Sequence, residues 1–310
     1  MISPLPPRLS EALESWGQES ENAEALGGGA NSQVFRIELA RDRKICVKLH
    51  HIDRKGGSPR YDREKAFYSA ARDACRNWLP QDLRWDDERK AGFLDFIEGS
   101  PLGRPNQGDV HMAGEFIRTL QQADSSLLQG ASEGAMEWEG HLLMVDQRLK
   151  RLANVEDEGA AGFVRDEVSP CWERVRKSLR PATVHKIVSP SDFGFHNALR
   201  TSSGRLCFYD FEHGGLDDAA KLVCDLFVRP GSEIPMEWVD VFCSSAGFDD
   251  EVRNSAFGLM DLYRVKWACI ALNEFTAEGI ERRGYAGADS LERRKTQLAK
   301  ARALVAEVRK

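Results

Sequence analysis

The apolar residues of this chain change period near Glu98-Gly99-Ser100-Pro101, and that change limits the folds open to it. Before the break, apolar residues alternate in Phe35-Arg36-Ile37-Glu38-Leu39 and again in Ile45-Cys46-Val47-Lys48-Leu49, the pattern of half-buried strands. Gly92 to Ile97 reads as a third short strand. A short helix with Leu9, Leu13 and Trp16 precedes them, and Tyr61 to Arg76 is expected as a helix with Phe67, Ala71 and Cys75 along one face. After the break the chain turns helical, over 111–122, 141–152, 162–179, 260–275 and a charged stretch 291–310. Only two short strand-like runs return, near 184–188 and 206–209. Strands first and helices later predict an α+β protein rather than an alternating βαβ sheet. We place a boundary there: residues 1–98 as a small antiparallel sheet with one packed helix, residues 99–310 as a larger, mainly helical region.

The chain is 310 residues long, enough for two such regions, with 42% apolar and 30% charged residues, an ordinary globular balance. A net charge of −6 gives no electrostatic reason to expect a nucleic-acid partner. No apolar run approaches the roughly 20 residues of a membrane span. Met1 to Arg8 lacks the charged-then-apolar layout of a signal peptide, so a cytoplasmic location is expected. The 7 cysteines are scattered singly, several inside apolar runs, which suits buried reduced thiols better than disulfides or a zinc site.

Three groups of residues carry chemistry. Gly27-Gly28-Gly29-Ala30-Asn31-Ser32-Gln33-Val34 leads into a strand, and its glycines let backbone N–H groups approach phosphate oxygens. By itself it reads better as an ordinary hairpin turn, and it is not a Walker A loop, because no Gly-Lys-Ser/Thr follows. Next, Cys46 and Lys48 share the strand face opposite Ile45, Val47 and Leu49, and a lysine there needs a counter-charge or a solvated cleft. Glu64 on the following helix is the natural partner, since such a pair attracts by about 4 kcal/mol at about 4 Å and an effective dielectric near 20. Last, Asp192 and Asn197 follow one short strand, and Asp210 ends another, Leu206-Cys207-Phe208-Tyr209. Phosphoryl transfer needs a carboxylate to orient and deprotonate a hydroxyl, and hard oxygen ligands for Mg²⁺. Asp192 fits the first task, and Asn197 with Asp210 the second.

In that order, these motifs resemble the aminoglycoside phosphotransferase and choline kinase-like enzymes, distant relatives of protein kinases, over about Leu26 to Leu226. The resemblance implies a two-lobed, protein-kinase-like fold and Mg-ATP chemistry on a small-molecule hydroxyl, with GTP as an alternative donor. It implies a nucleotide site at Gly27, Gly28, Gly29, Ser32 and Val34, with Cys46 over the adenine, Lys48 on the phosphates and Glu64 holding Lys48. It also implies a hinge in Leu94-Asp95-Phe96-Ile97-Glu98-Gly99 whose backbone holds the adenine. Asp192 would be the catalytic base, Asn197 and Asp210 the metal ligands, and Asp217, Asp218 and Asp225 carboxylates that brace the catalytic loop. The stretch Asp210 to Leu226, with Tyr263-Arg264-Val265-Lys266-Trp267, is similar to a bacterial subgroup of these phosphotransferases. Two positions depart from the pattern. Ser32 stands for the third glycine, and Pro190-Ser191 stand where a histidine-containing pair braces the loop, with Pro190 supplying rigidity instead.

Other features read as structural. Phe257, Met260 and Trp267 suit a core face, His50-His51 an exposed strand end, and the basic residues of 291–310 a solvated helix face. His196, Glu212 and His213 are placed to meet substrate or to shape their loops. The short segment after Asp210 favours a small molecule over a protein acceptor. The remaining alternatives are an antibiotic-modifying kinase, a biosynthetic sugar or amino-alcohol kinase, and a degenerate kinase fold that serves as a scaffold.

Overall fold

Phe35, Ile37 and Leu39 face the same way as Ile45, Val47 and Leu49, and burying that shared face fixes the first sheet. The computed structural model describes residues 5–27, 32–53, 55–280 and 291–308. By its contacts the chain divides into two units. The first takes in residues up to Leu102 with Thr119–Gln129 and Phe195–Gly214. The second takes in Gly103–Arg118, Gly130–Gly194 and the chain from Gly215 onward.

In the first unit, β1 (Ser20–Gly27), β2 (Ser32–Leu39), β3 (Arg43–His50), β4 (Asp82–Asp86) and β5 (Ala91–Asp95) form an antiparallel sheet in the order β1-β2-β3-β5-β4. Helix α1 (Pro7–Ser15), begun by proline at its first turn, lays Leu9, Ala12 and Leu13 on one face of it. Each aliphatic side chain buried there contributes about 1.5–3 kcal/mol. A one-residue slip of β3 would turn Lys48 into that core, so the register is strongly specified. Helix α2 (Pro59–Ala71) covers part of the opposite face, with Tyr61 against His50 and against Trp85 of β4. α2 stops at Ala71, short of the expected Arg76, and turns follow to Trp78 that keep Cys75 buried.

The strands missing from the sequence reading are β1 and β4, the two edges of the sheet. Each pairs on one side only and lies largely outside the core, so neither needs strict apolar alternation. A second small sheet in this unit joins β6 (Gly99–Pro101), β8 (Ala198–Thr201) and β9 (Leu206–Phe208) in the order β6-β8-β9.

The second unit is built on helices. α3 (Gln107–Leu120) contributes its first turns, followed by α4 (Trp138–Leu152), α5 (Glu158–Phe163) and α6 (Ser169–Ser178). α5 and α6 are joined through a wider π-helical turn at Val164–Val168, so the single helix expected over 162–179 starts earlier and carries an expanded turn. β7 (Lys186–Ser189) pairs with β10 (Gly215–Asp218), which runs directly into α7 (Ala219–Val228). All ten residues of α7 are buried, Lys221 and Asp225 on its polar face among them. After α8 (Val239–Ala246), helix α9 (Asp250–Leu272) starts ten residues before the expected Met260, capped by the Asp249 carboxylate on the Val252 N–H. α9 packs against α4, α6, α7 and α10 (Leu291–Ala306). Among the described residues no helix is long and apolar enough to cross a membrane.

Candidate active site

β3 places Cys46, Lys48 and His50 on the face that α1 does not cover. α2 reaches that face through Glu64, which lies inside the helix's own buried stripe of Tyr61, Phe67, Tyr68 and Ala71. A carboxylate there is tolerated only if paired. Its Oε2 lies 2.8 Å from Lys48 Nζ and 2.6 Å from His50 Nε2, and its Oε1 accepts the Phe211 N–H at 3.1 Å. Lys48 also reaches Asp210 Oδ1 at 2.5 Å and Glu212 Oε2 at 3.1 Å, and Arg60 pairs with Glu212 from the first turn of α2.

This is an unbalanced cluster of three carboxylates against Lys48 and Arg60. Burial alone would push the Lys48 ammonium down, but Glu64, Asp210 and Glu212 outweigh it and hold it above the ordinary lysine range. Burial pushes Glu64 up, and Lys48 and His50 bring it well below the usual carboxylate range. Asp210 goes the other way. Burial raises it, and the nearby Glu64 and Glu212 raise it further, against Lys48. Lys48 and Arg60 together leave one acid in excess, and Asp210 carries it.

The β8–β9 hairpin brings Asn197 and Asp210 together. Asn197 precedes β8 and Asp210 lies just past β9, and the Tyr209 N–H donates to the Asn197 carbonyl at 3.0 Å across the ladder. Asp210 holds φ 68°, a left-handed conformation that costs a non-glycine residue on the order of 1–3 kcal/mol. The residue types present fit a hard divalent cation: Asp210 and Asn197 both carry oxygen donors, and their backbones meet at the Tyr209–Asn197 hydrogen bond. A second grouping, His50, Glu64 and Glu212, has ligand atoms within 4.8 Å of one another, but the Lys48 ammonium already binds both of its carboxylates.

The expected nucleotide residues line the same sheet. Gly27 ends β1 and pairs with Val34, Val34 stands opposite Lys48, and Ser32 opens β2 opposite His50. Gly28 and Gly29 lie outside the described residues. Cys46 is half-buried on the Lys48 face, its thiol pushed up to about 11 by burial. Asp95 pairs with Ile45 and donates its N–H to the Gln81 carbonyl at 2.8 Å. Phe96 and Ile97 are half-buried, with the Arg36 guanidinium 6.0 Å from the Phe96 ring centre.

Asp192 belongs to the second unit, past the end of β7. Ser191 before it has φ 65° and donates its N–H to the buried Ser189 Oγ at 3.1 Å, while the Asp192 N–H donates to the Pro190 carbonyl at 2.9 Å. The expected bracing carboxylates surround β7 and α7. Asp217 accepts the Ala135 N–H at 2.8 Å and binds Lys221 at 2.6 Å. Asp218 accepts the His185 N–H at 2.9 Å and caps α7 on the Lys221 N–H. Asp225 binds Lys266 at 2.6 Å, Lys221 at 3.1 Å and the Trp267 indole N–H at 2.9 Å.

Two corrections concern α2 and β3. His50 is not an exposed strand end; it is fully buried against Glu64, and only His51 is exposed. The period-2 rule held the signal, because His50 shares its face with Lys48. Arg60 was missed, although it stands one helical turn before Glu64 and so on the same face. Glu212 proves to be a buried member of the lysine cluster.

No family model matches the sequence, and no curated protein matches it. Solved structures do. A choline/ethanolamine kinase family protein from Mesorhizobium loti is 20% identical, with a TM-score of 0.61 over 96% of this chain and 99% of that one. Choline kinase LicA from Streptococcus pneumoniae is 15% identical, with a TM-score of 0.63 over 96% and 97%. Spectinomycin phosphotransferase APH(9)-Ia, in complex with ADP and spectinomycin, is 12% identical, with a TM-score of 0.61 over 97% and 99%. Over nearly its whole length, then, the chain has the α+β fold shared by choline/ethanolamine kinases and aminoglycoside phosphotransferases.

Proposed function

We propose that this protein is an ATP- and Mg²⁺-dependent phosphotransferase that moves the γ-phosphate to a hydroxyl of a small molecule. The observation that carries the reading is the buried Lys48, fixed by Glu64 and facing Asp210, with Asn197 brought beside Asp210 by one hairpin. A polyphosphate supplies the anionic oxygens for which Asp210 and Glu212 now stand in. On this reading Lys48 contacts the phosphates, and Glu64 keeps its ammonium in place when Asp210 releases it. Gly27, Gly28, Gly29 and Ser32 present backbone N–H groups to the phosphates. Val34 and Cys46 cover the base, and the backbone of Asp95, Phe96 and Ile97 holds its edge. Asn197 and Asp210 would hold Mg²⁺, which when bound neutralises phosphate charge. Asp192 orients the acceptor hydroxyl and takes its proton.

Structural neighbours that include choline kinases, and a spectinomycin phosphotransferase holding ADP and spectinomycin, support a nucleotide donor and a small acceptor. The short connection from Asp210 to α7 supports the same acceptor class. The test is Mg-ATP consumption by wild type and Asp192→Ala against sugars, cyclitols, amino alcohols, nucleosides and aminoglycosides. One acceptor class should drive turnover, and the variant should lose roughly 10²–10⁴-fold in kcat. No turnover, together with no rise in melting temperature on adding Mg-ATP, would replace this reading with a scaffold.

A further inference from the structure

Asp225 and Arg229 stand one turn apart at the end of α7, and a single side chain of α9 touches both. The Trp267 indole N–H is fixed on Asp225 Oδ1 at 2.9 Å, and the Arg229 guanidinium lies over the Trp267 ring, 5.4 Å from its centre. Asp225 is itself immobilised by two buried lysines, Lys266 and Lys221. From this platform Arg229 reaches Asp192, with Nη1 3.9 Å from Oδ1. We propose that Arg229, aimed by Trp267, is a positioning residue for Asp192, replacing as loop brace the histidine that Pro190-Ser191 lack. This rests on the reading of Asp192 as the catalytic base.

The physical argument is one of rigidity. The loop Ser189–Asp192 is short, has one residue in the left-handed region, and is tied locally by the Ser189 hydroxyl. Those bonds act within the loop, and Asp192, about one-third exposed at 36%, ties it to α7 through Arg229. An arginine docked on an indole has already lost much of its own freedom, so its pull on Asp192 selects a rotamer at little further entropic cost. At 3.9 Å the contact is an ion pair without a short hydrogen bond, which steers the carboxylate by charge.

The experiment compares wild type, Arg229→Gln, Arg229→Lys and Trp267→Phe. Its first readout needs no acceptor: hydrogen–deuterium exchange of the peptide carrying Ser189–Gly194. Arg229→Gln should speed exchange in that peptide and leave the α9 peptides unchanged, and Arg229→Lys should restore part of the protection. Trp267→Phe keeps a ring face but loses the N–H to Asp225, and should give a smaller change of the same sign. With an acceptor in hand, Arg229→Gln should lower kcat by about 10²-fold, as a misplacement of about 1 Å does, with KM for ATP and the Mg-ATP melting shift unchanged. Unchanged loop exchange in Arg229→Gln overturns the proposal, as does a loss carried by KM for ATP. Altered loop exchange in a protein that turns over no acceptor and gains no melting temperature from Mg-ATP would sink the phosphotransferase reading and leave the brace standing.

Discussion

The ammonium of Lys48 stands 2.5 Å from the carboxylate of Asp210, two residues 162 positions apart in the chain, both in the first unit. The contact exists because β3 and the end of the β8–β9 hairpin converge on the face that α2 partly covers. Glu64 and Glu212 crowd the same ammonium, so its removal exposes what the cluster costs.

Lys48→Met leaves Glu64, Asp210 and Glu212 without their shared cation. Breaking a buried pair in this way costs about 3–5 kcal/mol. The variant should unfold at a clearly lower urea concentration than wild type, with the same slope, and Mg-ATP should no longer raise its melting temperature. An unchanged midpoint would show that the three acids are relieved by water or by protonation rather than by Lys48.

Asp210→Asn should separate stability from function. Asp210 carries the surplus charge of the cluster and sits at φ 68°, a conformation that asparagine adopts readily. Lys48 keeps Glu64 and Glu212 as partners. At pH 7 the variant should therefore melt no lower than wild type, while metal-dependent nucleotide use collapses. A large drop in melting temperature would mean that the Lys48–Asp210 contact outweighs the crowding.

Gly214→Ala tests the packing behind α2. A Cβ at this position would lie 2.5 Å from Cδ2 of Phe67, whose ring is fully buried and stacked on Phe211 at 4.5 Å. Neither ring has room to move, so overpacking should cost about 1–3 kcal/mol. Chemical denaturation measures this directly, and a cost near zero would show that α2 shifts as a body.

Acid should act through Asp225. Burial pushes its carboxyl up, but Lys266 and Lys221 outweigh that and hold it below its ordinary value of 3.8. A folded pKa below the unfolded one means that ionised Asp225 contributes stability above the unfolded value. That contribution is lost as pH falls through the lower, folded value. Urea midpoints measured from pH 7 down to pH 3 should fall below about pH 4. Asp225→Asn should flatten that fall, and at pH 7 should be less stable by about 3–5 kcal/mol, because two buried lysines lose a counter-charge. A variant whose acid slope matched wild type would move the proton uptake to another carboxylate.

The residues that sequence alone made legible are those whose pattern has a local cause. Ile45, Val47 and Leu49 alternate because one strand face is buried, and this alone forces Lys48 onto the other face. The strand-to-carboxylate junction at Asp210, the polar turn from Asp192 to Asn197 and the change of period near Glu98 likewise need only neighbouring residues to be recognised. The order of these features was enough for the α+β class and the fold resemblance.

What the tertiary structure decided is everything set by partners distant in sequence. His50 looked like an exposed strand end because nothing local says that α2 will cover it. Arg60 and Glu212 join the Lys48 cluster only once α2 and the β8–β9 hairpin meet on the sheet. The edge strands β1 and β4 carry no strict period-2 signal, because little of them is buried. A side chain's face follows from its own strand or helix. Whether that face meets water, a core or an opposite charge depends on which other segment arrives, and that is fixed by burial and charge balance over the whole chain.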